Sequence, residues 1–358
     1  AAQPPESEDP APAEGPEAPA QADLAARLAA MTTEEKVGQL FFARCAEPDM
    51  AEKIARCHLG GVLLFGRDYK DADGAWLSEA AFTQKLRAYQ NAADVPLFIG
   101  SDEEGGTVTR ATRNPNLFDA KLPSPQALYT AGGMDGLLTH TLAYNERLRA
   151  LGVNVNFAPV CDVSTDPADF IYARAFGQDA AATADYAAQV VDVMGKAGIG
   201  CVLKHFPGYG NNVDTHTGIA IDARPIETFR SADFLPFQAG IDAGAPFVLV
   251  SHNVVNCLDA EYPASLSPAA YALLRAELGF SGVALTDDLA MDAVKAYADH
   301  GDAATLALLA GCDMVVTTDF ETQIAQVLAA MADGTLPMET IDAAVLRVLT
   351  VKQQLGLL

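Results

Sequence analysis

Eight short apolar runs alternate with helical patterns along the chain, and this alternation predicts an α/β fold of the (β/α)8 TIM-type barrel, built as a single domain. Two further observations point the same way. The runs are nearly continuous in apolar character, as expected of parallel strands covered on both faces. Residues 24–358 also provide enough chain for eight strand–helix units with some long loops. A doubly wound open sheet would want a glycine-rich phosphate turn after an early strand, and no G-x-G-x-x-G stands there.

Residues 1–23 hold six Pro, six acids and no Lys or Arg. Such a segment buries too little apolar surface to order itself, so it is read as a disordered acidic Pro/Ala-rich tail or linker. Its composition leads us to expect an exported, cell-surface or extracellular protein, tethered by this segment, rather than a cytoplasmic protein with an acidic tail. The barrel domain spans 24–358. Leu24, Leu28 and Met31 make a short helical face, and Thr32 with Glu35 reads as a capping box. The strand–helix pattern then follows. Leu40–Ala43 is a strand, 51–57 a helix and Gly60–Phe65 a strand. Helices 76–92, 135–151, 179–197, 227–243, 268–278 and 302–310 each precede a strand, at 96–100, 153–158, 200–204, 247–250, 282–285 and 313–316. Helices near 320–333 and 339–354 close the chain.

The net charge of -24 argues against a nucleic-acid partner and against anionic membrane surfaces, both of which need basic stripes. No run of 18 apolar residues predicts a transmembrane helix. Six cysteines are scattered without a C-x-x-C pair, which disfavours a zinc knuckle. Cys201 and Cys312 read as core thiols. Cys45 and Cys57 could bridge around one helix in an oxidising compartment.

Chemistry-bearing residues gather where the apolar runs end. Asp102 follows the third run, Asp162 the fourth, Lys204 and His205 the fifth, His252 the sixth, and Asp287 and Asp288 the seventh. In a barrel those ends share one face. Asp162, near a turn, reads first as a structural partner and Asp288 as a helix cap. Asp287 has the position of a nucleophile, base or metal ligand. After Lys204-His205-Phe206-Pro207-Gly208, a loop rich in Gly and Asn leads to Asp214-Thr215-His216. An imidazole gives and takes protons near neutrality, and a carboxylate two residues away can orient it.

The stretch from Lys204 to His216 resembles the signature of family 3 glycoside hydrolases of the β-N-acetylglucosaminidase type. Asp102-Glu103-Glu104-Gly105-Gly106, with Arg110 after it, is similar to the family's Asp-Gln-Glu-Gly-Gly element. Ala173-Arg174-Ala175-Phe176-Gly177 resembles its Arg-Ser-Phe-Gly, and Thr286-Asp287-Asp288-Leu289-Ala290-Met291 its nucleophile segment. The likeness covers the chain from about Asp23 to Leu358. It implies a retaining exo-β-N-acetylglucosaminidase with Asp287 as nucleophile and a His216/Asp214 acid/base dyad. It further implies that Asp102, Arg110, Arg174, Lys204 and His205 bind the sugar. The substrate would be β-linked GlcNAc ends, such as peptidoglycan fragments, with no cofactor and no metal, and the protein a monomer or weak dimer. Three departures stand out. Three residues rather than four separate Gly210 from Asp214, Tyr209 replaces a commoner His, and Thr107 stands where Arg is frequent. Phosphorolysis of the same bond, or a β-glucosidase on the same fold, is the alternative activity. A metal-dependent hydrolase using His205, His216, His252 and Asp287 would want an H-x-H pair, which is lacking. A silent sugar-binding barrel would be expected to lose Asp287 or His216.

Overall fold

The computed structural model describes residues 17–45, 49–210, 212, 220–291, 294, 297 and 301–358. Its strands are β1 (Phe41–Arg44), β2 (Gly61–Leu64), β3 (Phe98–Ser101), β4 (Val155–Asn156), β5 (Gly200–Phe206), β6 (Ile221–Asp222), β7 (Phe247–Val250), β8 (Val254–Val255), β9 (Val283–Thr286) and β10 (Val315–Thr317). Eight of them pair in the order β10-β1-β2-β3-β4-β5-β7-β9, all parallel. A bridge between Leu285 and Met314 joins β9 back to β10 and completes the circuit. Each predicted apolar run carries one of these strands. The two-residue pair β6–β8 is additional; segments that short carry no readable period.

The inside of the barrel is filled by aromatic rings. Phe42 meets Phe157 edge-on at 5.3 Å, and Phe98 meets Phe247 edge-on at 5.0 Å. Gly100 makes this possible, because a Cβ there would sit 2.7 Å from the Phe157 ring and 2.9 Å from the Phe42 ring. Burying each ring is worth about 1.5–3 kcal/mol. Lys352, from the last helix, is fully buried and donates to Gln39 Oε1 at 2.6 Å. Burial, aided by Arg27, pulls its ammonium down to about 7.

One expectation needs correction: the bridge between Cys45 and Cys57 does not form. The first described helix, Glu17–Ala30, packs against the closing helix Met338–Gln354. Alanine-rich sequence favours helix, and Pro19 falls in the first turn, where its missing N–H costs nothing. The helix predicted over 135–151 is the second of two that meet at Gly133, whose φ of 63° and ψ of -163° are not helical; the first, which was not predicted, begins at Pro125 and is capped by Ser124 on the Ala127 amide. Cys45 and Cys57 are both free thiols; Cys45 is buried with its sulfur 3.4 Å from the Tyr89 hydroxyl. The capping box of Thr32 and Glu35 forms in both directions. No described helix is long and apolar enough to cross a membrane.

Candidate active site

A cavity of about 450 Å³ opens where the strands end, and Asp102, Arg110, Arg174, Lys204, His205 and Asp287 all line it. These residues come from the ends of β3, β5 and β9 and from the loops after β3 and β4. The barrel therefore brings together side chains up to 185 positions apart (102 to 287).

The densest part is an ion network. Arg174 grips Glu104 with two bonds, Nε to Oε2 at 2.9 Å and Nη2 to Oε1 at 2.7 Å. Lys204 Nζ reaches Glu104 Oε1 at 2.6 Å and Asp102 Oδ1 at 2.9 Å. Arg110 meets the other oxygen of Asp102 at 3.3 Å. Burial opposes the charge on Glu104, but Arg174 and Lys204 overcome it and hold the carboxyl well below the usual range. Burial likewise opposes the charge on Lys204, and Asp102 and Glu104 more than restore it. The result is a set of polar groups fixed in advance, suited to gripping a hydroxyl-rich ring.

His205 is held at both ring nitrogens. Nδ1 lies 2.7 Å from Asp162 Oδ2, and Nε2 lies 3.0 Å from Arg174 Nη2. A guanidinium only donates, so Nε2 accepts and Nδ1–H points at Asp162. Asp162 also accepts the backbone N–H groups of His205 (3.1 Å) and Tyr209 (2.7 Å). It therefore sets the whole turn after β5. Gly208 in that turn has φ 122°, and a Cβ there would lie 2.4 Å from Asp233.

Asp287 follows β9 directly. Its N–H bonds Val250 O of β7 at 3.0 Å, and its Oδ1 accepts the Asp288 N–H at 2.8 Å. Asp288 lines the same cavity, where it takes Arg44 at 3.1 Å and the Ala290 amide at 3.0 Å. Burial raises its carboxyl. His252 is buried beneath, with Nε2 3.0 Å from the Asp288 carbonyl and Nδ1 2.7 Å from Ser265 Oγ. It thus steadies the segment that carries Asp287 and does not line the cavity.

Asp214 and His216 lie outside the described residues. Among the described residues that flank them in sequence, Arg224 ties Asp222 (2.8 Å) to Asp233 (2.9 Å), and Asn212 donates to Asp222 at 2.8 Å. Sequence reasoning did not single out Glu104, Arg44 or Arg224. Glu104 was legible as the residue two beyond Asp102, on the same side of an extended chain. Arg44 and Arg224 carried no local signal.

Fold and cavity define a barrel enzyme whose site sits at the carboxyl ends of its strands. Residues 32–351 match the glycosyl hydrolase family 3 N terminal domain, and the chain belongs to that family of glycoside hydrolases. A β-hexosaminidase from Xanthomonas campestris pv. campestris is 35% identical over 289 residues, covering 78% of this chain and 82% of its own. A family 3 β-N-acetylglucosaminidase from Paenibacillus sp. superposes with TM-score 0.83 at 30% identity over 92% of this chain; the match spans 63% of that larger protein. A β-N-acetylhexosaminidase from Beutenbergia cavernae superposes with TM-score 0.78 at 32% identity, over 90% of this chain and 99% of its own.

Proposed function

We propose that the protein is a retaining exo-β-N-acetylglucosaminidase that removes non-reducing terminal β-GlcNAc, as from peptidoglycan fragments. The observation that carries this reading is the sharing of one cavity by Asp287 and the Asp102–Lys204–Arg174 network. The network grips the sugar's hydroxyls and holds its anomeric carbon against Asp287. The Asp287 carboxylate attacks that carbon while the glycosidic oxygen leaves with a proton from His216, which Asp214 orients. Water then gives its proton to the same imidazole and displaces Asp287, so two inversions retain configuration. The relatives' names, β-hexosaminidase and β-N-acetylglucosaminidase, support the choice of sugar.

The test is release of chromophore from an aryl β-GlcNAc in the presence of a chelator. The reading expects full activity, and loss of at least about 1,000-fold in Asp287→Ala with sugar binding kept. Activity abolished by chelator, or undiminished in the variant, would overturn it.

A further inference from the structure

Between the two sugar-site carboxylates Asp102 and Glu104 stands a third, Glu103, which faces away from the cavity. The family element has glutamine at this place. Glu103 is 2% exposed. Its Oε1 accepts the Arg110 N–H at 2.7 Å and the Ala111 N–H as well, and Thr112 Oγ1 lies 3.4 Å from Oε2. Its own backbone is clamped to β4: the Glu103 N–H donates to Asn156 Oδ1 at 3.1 Å, and Asn156 Nδ2 donates to the Glu103 carbonyl at 3.3 Å. One side chain thus connects the rigid barrel to the backbone of Arg110, whose guanidinium reaches Asp102 in the cavity.

We propose that Glu103 is a positioning residue for Arg110, and that its charge state sets how firmly the arginine's loop is held against the sugar pocket. The inference rests on the glycosidase reading for its kinetic consequence but not for its structural one. A carboxylate grips two amides more strongly than a neutral acid or amide does, because bonds to a charged acceptor are about twice as strong. The titratable groups facing Glu103 are Arg110 on its own loop, Tyr144 on helix Pro125–Leu151, and Tyr69 from the turn Gly66–Tyr69. Burial pushes both tyrosines upward, so they stay neutral. Burial raises Glu103 to about 7, against the pull of its hydrogen bonds and Arg110. The loop is therefore held by a carboxylate above neutrality and by a neutral acid below it, whereas glutamine would hold it alike at every pH.

The experiment compares wild type, Glu103→Gln and Glu103→Ala at pH 6 and pH 8, by steady-state kinetics on an aryl β-GlcNAc and by amide exchange at Arg110 and Ala111, corrected for intrinsic rate. In wild type, KM should fall about 3-fold or more and amide protection rise from pH 6 to pH 8, since a strong charged bond replaces a weaker neutral one. E103Q should stay near the wild-type pH 6 values at both pH values. E103A should raise KM about 10-fold or more with a smaller change in kcat, and lose protection. If E103A fails to fold, the wild-type and E103Q pair decides alone. The same pH response in E103Q as in wild type, or wild-type protection in E103A, would overturn the proposal. A wild type inactive on GlcNAc would sink the glycosidase reading, while the exchange data would still decide the role of Glu103.

Discussion

Arg174 is the most informative single residue to remove. Its side chain is 15% exposed and that of its partner Glu104 only 1%, so the pair is desolvated and bidentate. Breaking one partner of such a pair costs about 3–5 kcal/mol. Lys204, 2.6 Å from the same carboxylate, keeps part of the charge balanced. For Arg174→Ala we therefore expect a loss of ~2–3 kcal/mol in stability, at or just below the lower limit of that range. If the same contacts orient the sugar, kcat/KM falls about 30- to 150-fold. Lysine can restore a charge but not the fork, so Arg174→Lys should recover about half of each loss. The stability deficit should be level from pH 5 to 9. Glu104 has a depressed carboxyl, so its contribution is complete above its unfolded value and is lost only as acid reaches its lower folded one. Urea denaturation and chromogenic kinetics measure both effects. An Arg174→Ala protein within about 0.5 kcal/mol of wild type, the range of ordinary surface changes, would refute this reasoning.

Two other perturbations test the frame around the site. Asp162→Asn leaves one acceptor where two backbone amides and the His205 ring now bond, so kcat/KM should drop about 10- to 100-fold, the worth of one charge-assisted bond; unchanged kinetics would remove Asp162 from the positioning scheme. Lys352→Met tests the buried ammonium. Its folded value of about 7 lies below the unfolded one, so its burial penalty is complete below pH 7 and fades as pH rises toward 10. The variant should gain about 1–3 kcal/mol at pH 6 and lose that advantage by pH 10, where the wild-type amine no longer carries the penalty and still bonds Gln39. An equal effect at both pH values would contradict the assignment.

The barrel was legible because each strand is an apolar run bounded by turn residues, and the helices between them are long enough to show a period. The strand ends gave Asp102, Lys204, His205 and Asp287, and Arg110 and Arg174 were found through motifs. What escaped was set by tertiary contact. Nothing near Arg44 indicates that Asp288 lies beside it, 244 positions away. Nothing near Asp162 tells that it orients His205 rather than capping a turn. The helix that begins at Pro125 escaped because it ends within a few turns at Gly133, too short to show a period of its own. Cys45 and Cys57 flank one short helix in sequence, yet the packing of Cys45 against Tyr89 leaves both as thiols.

The central claim is that one carboxylate at the tip of β9 forms a bond to the sugar. Incubating the enzyme with a fluorinated, slowly released GlcNAc donor and mapping the adduct by peptide mass spectrometry tests it directly. The account predicts a single glycosyl group on Asp287. A label on Asp288, Asp102 or any other residue, or turnover without any adduct, would contradict it.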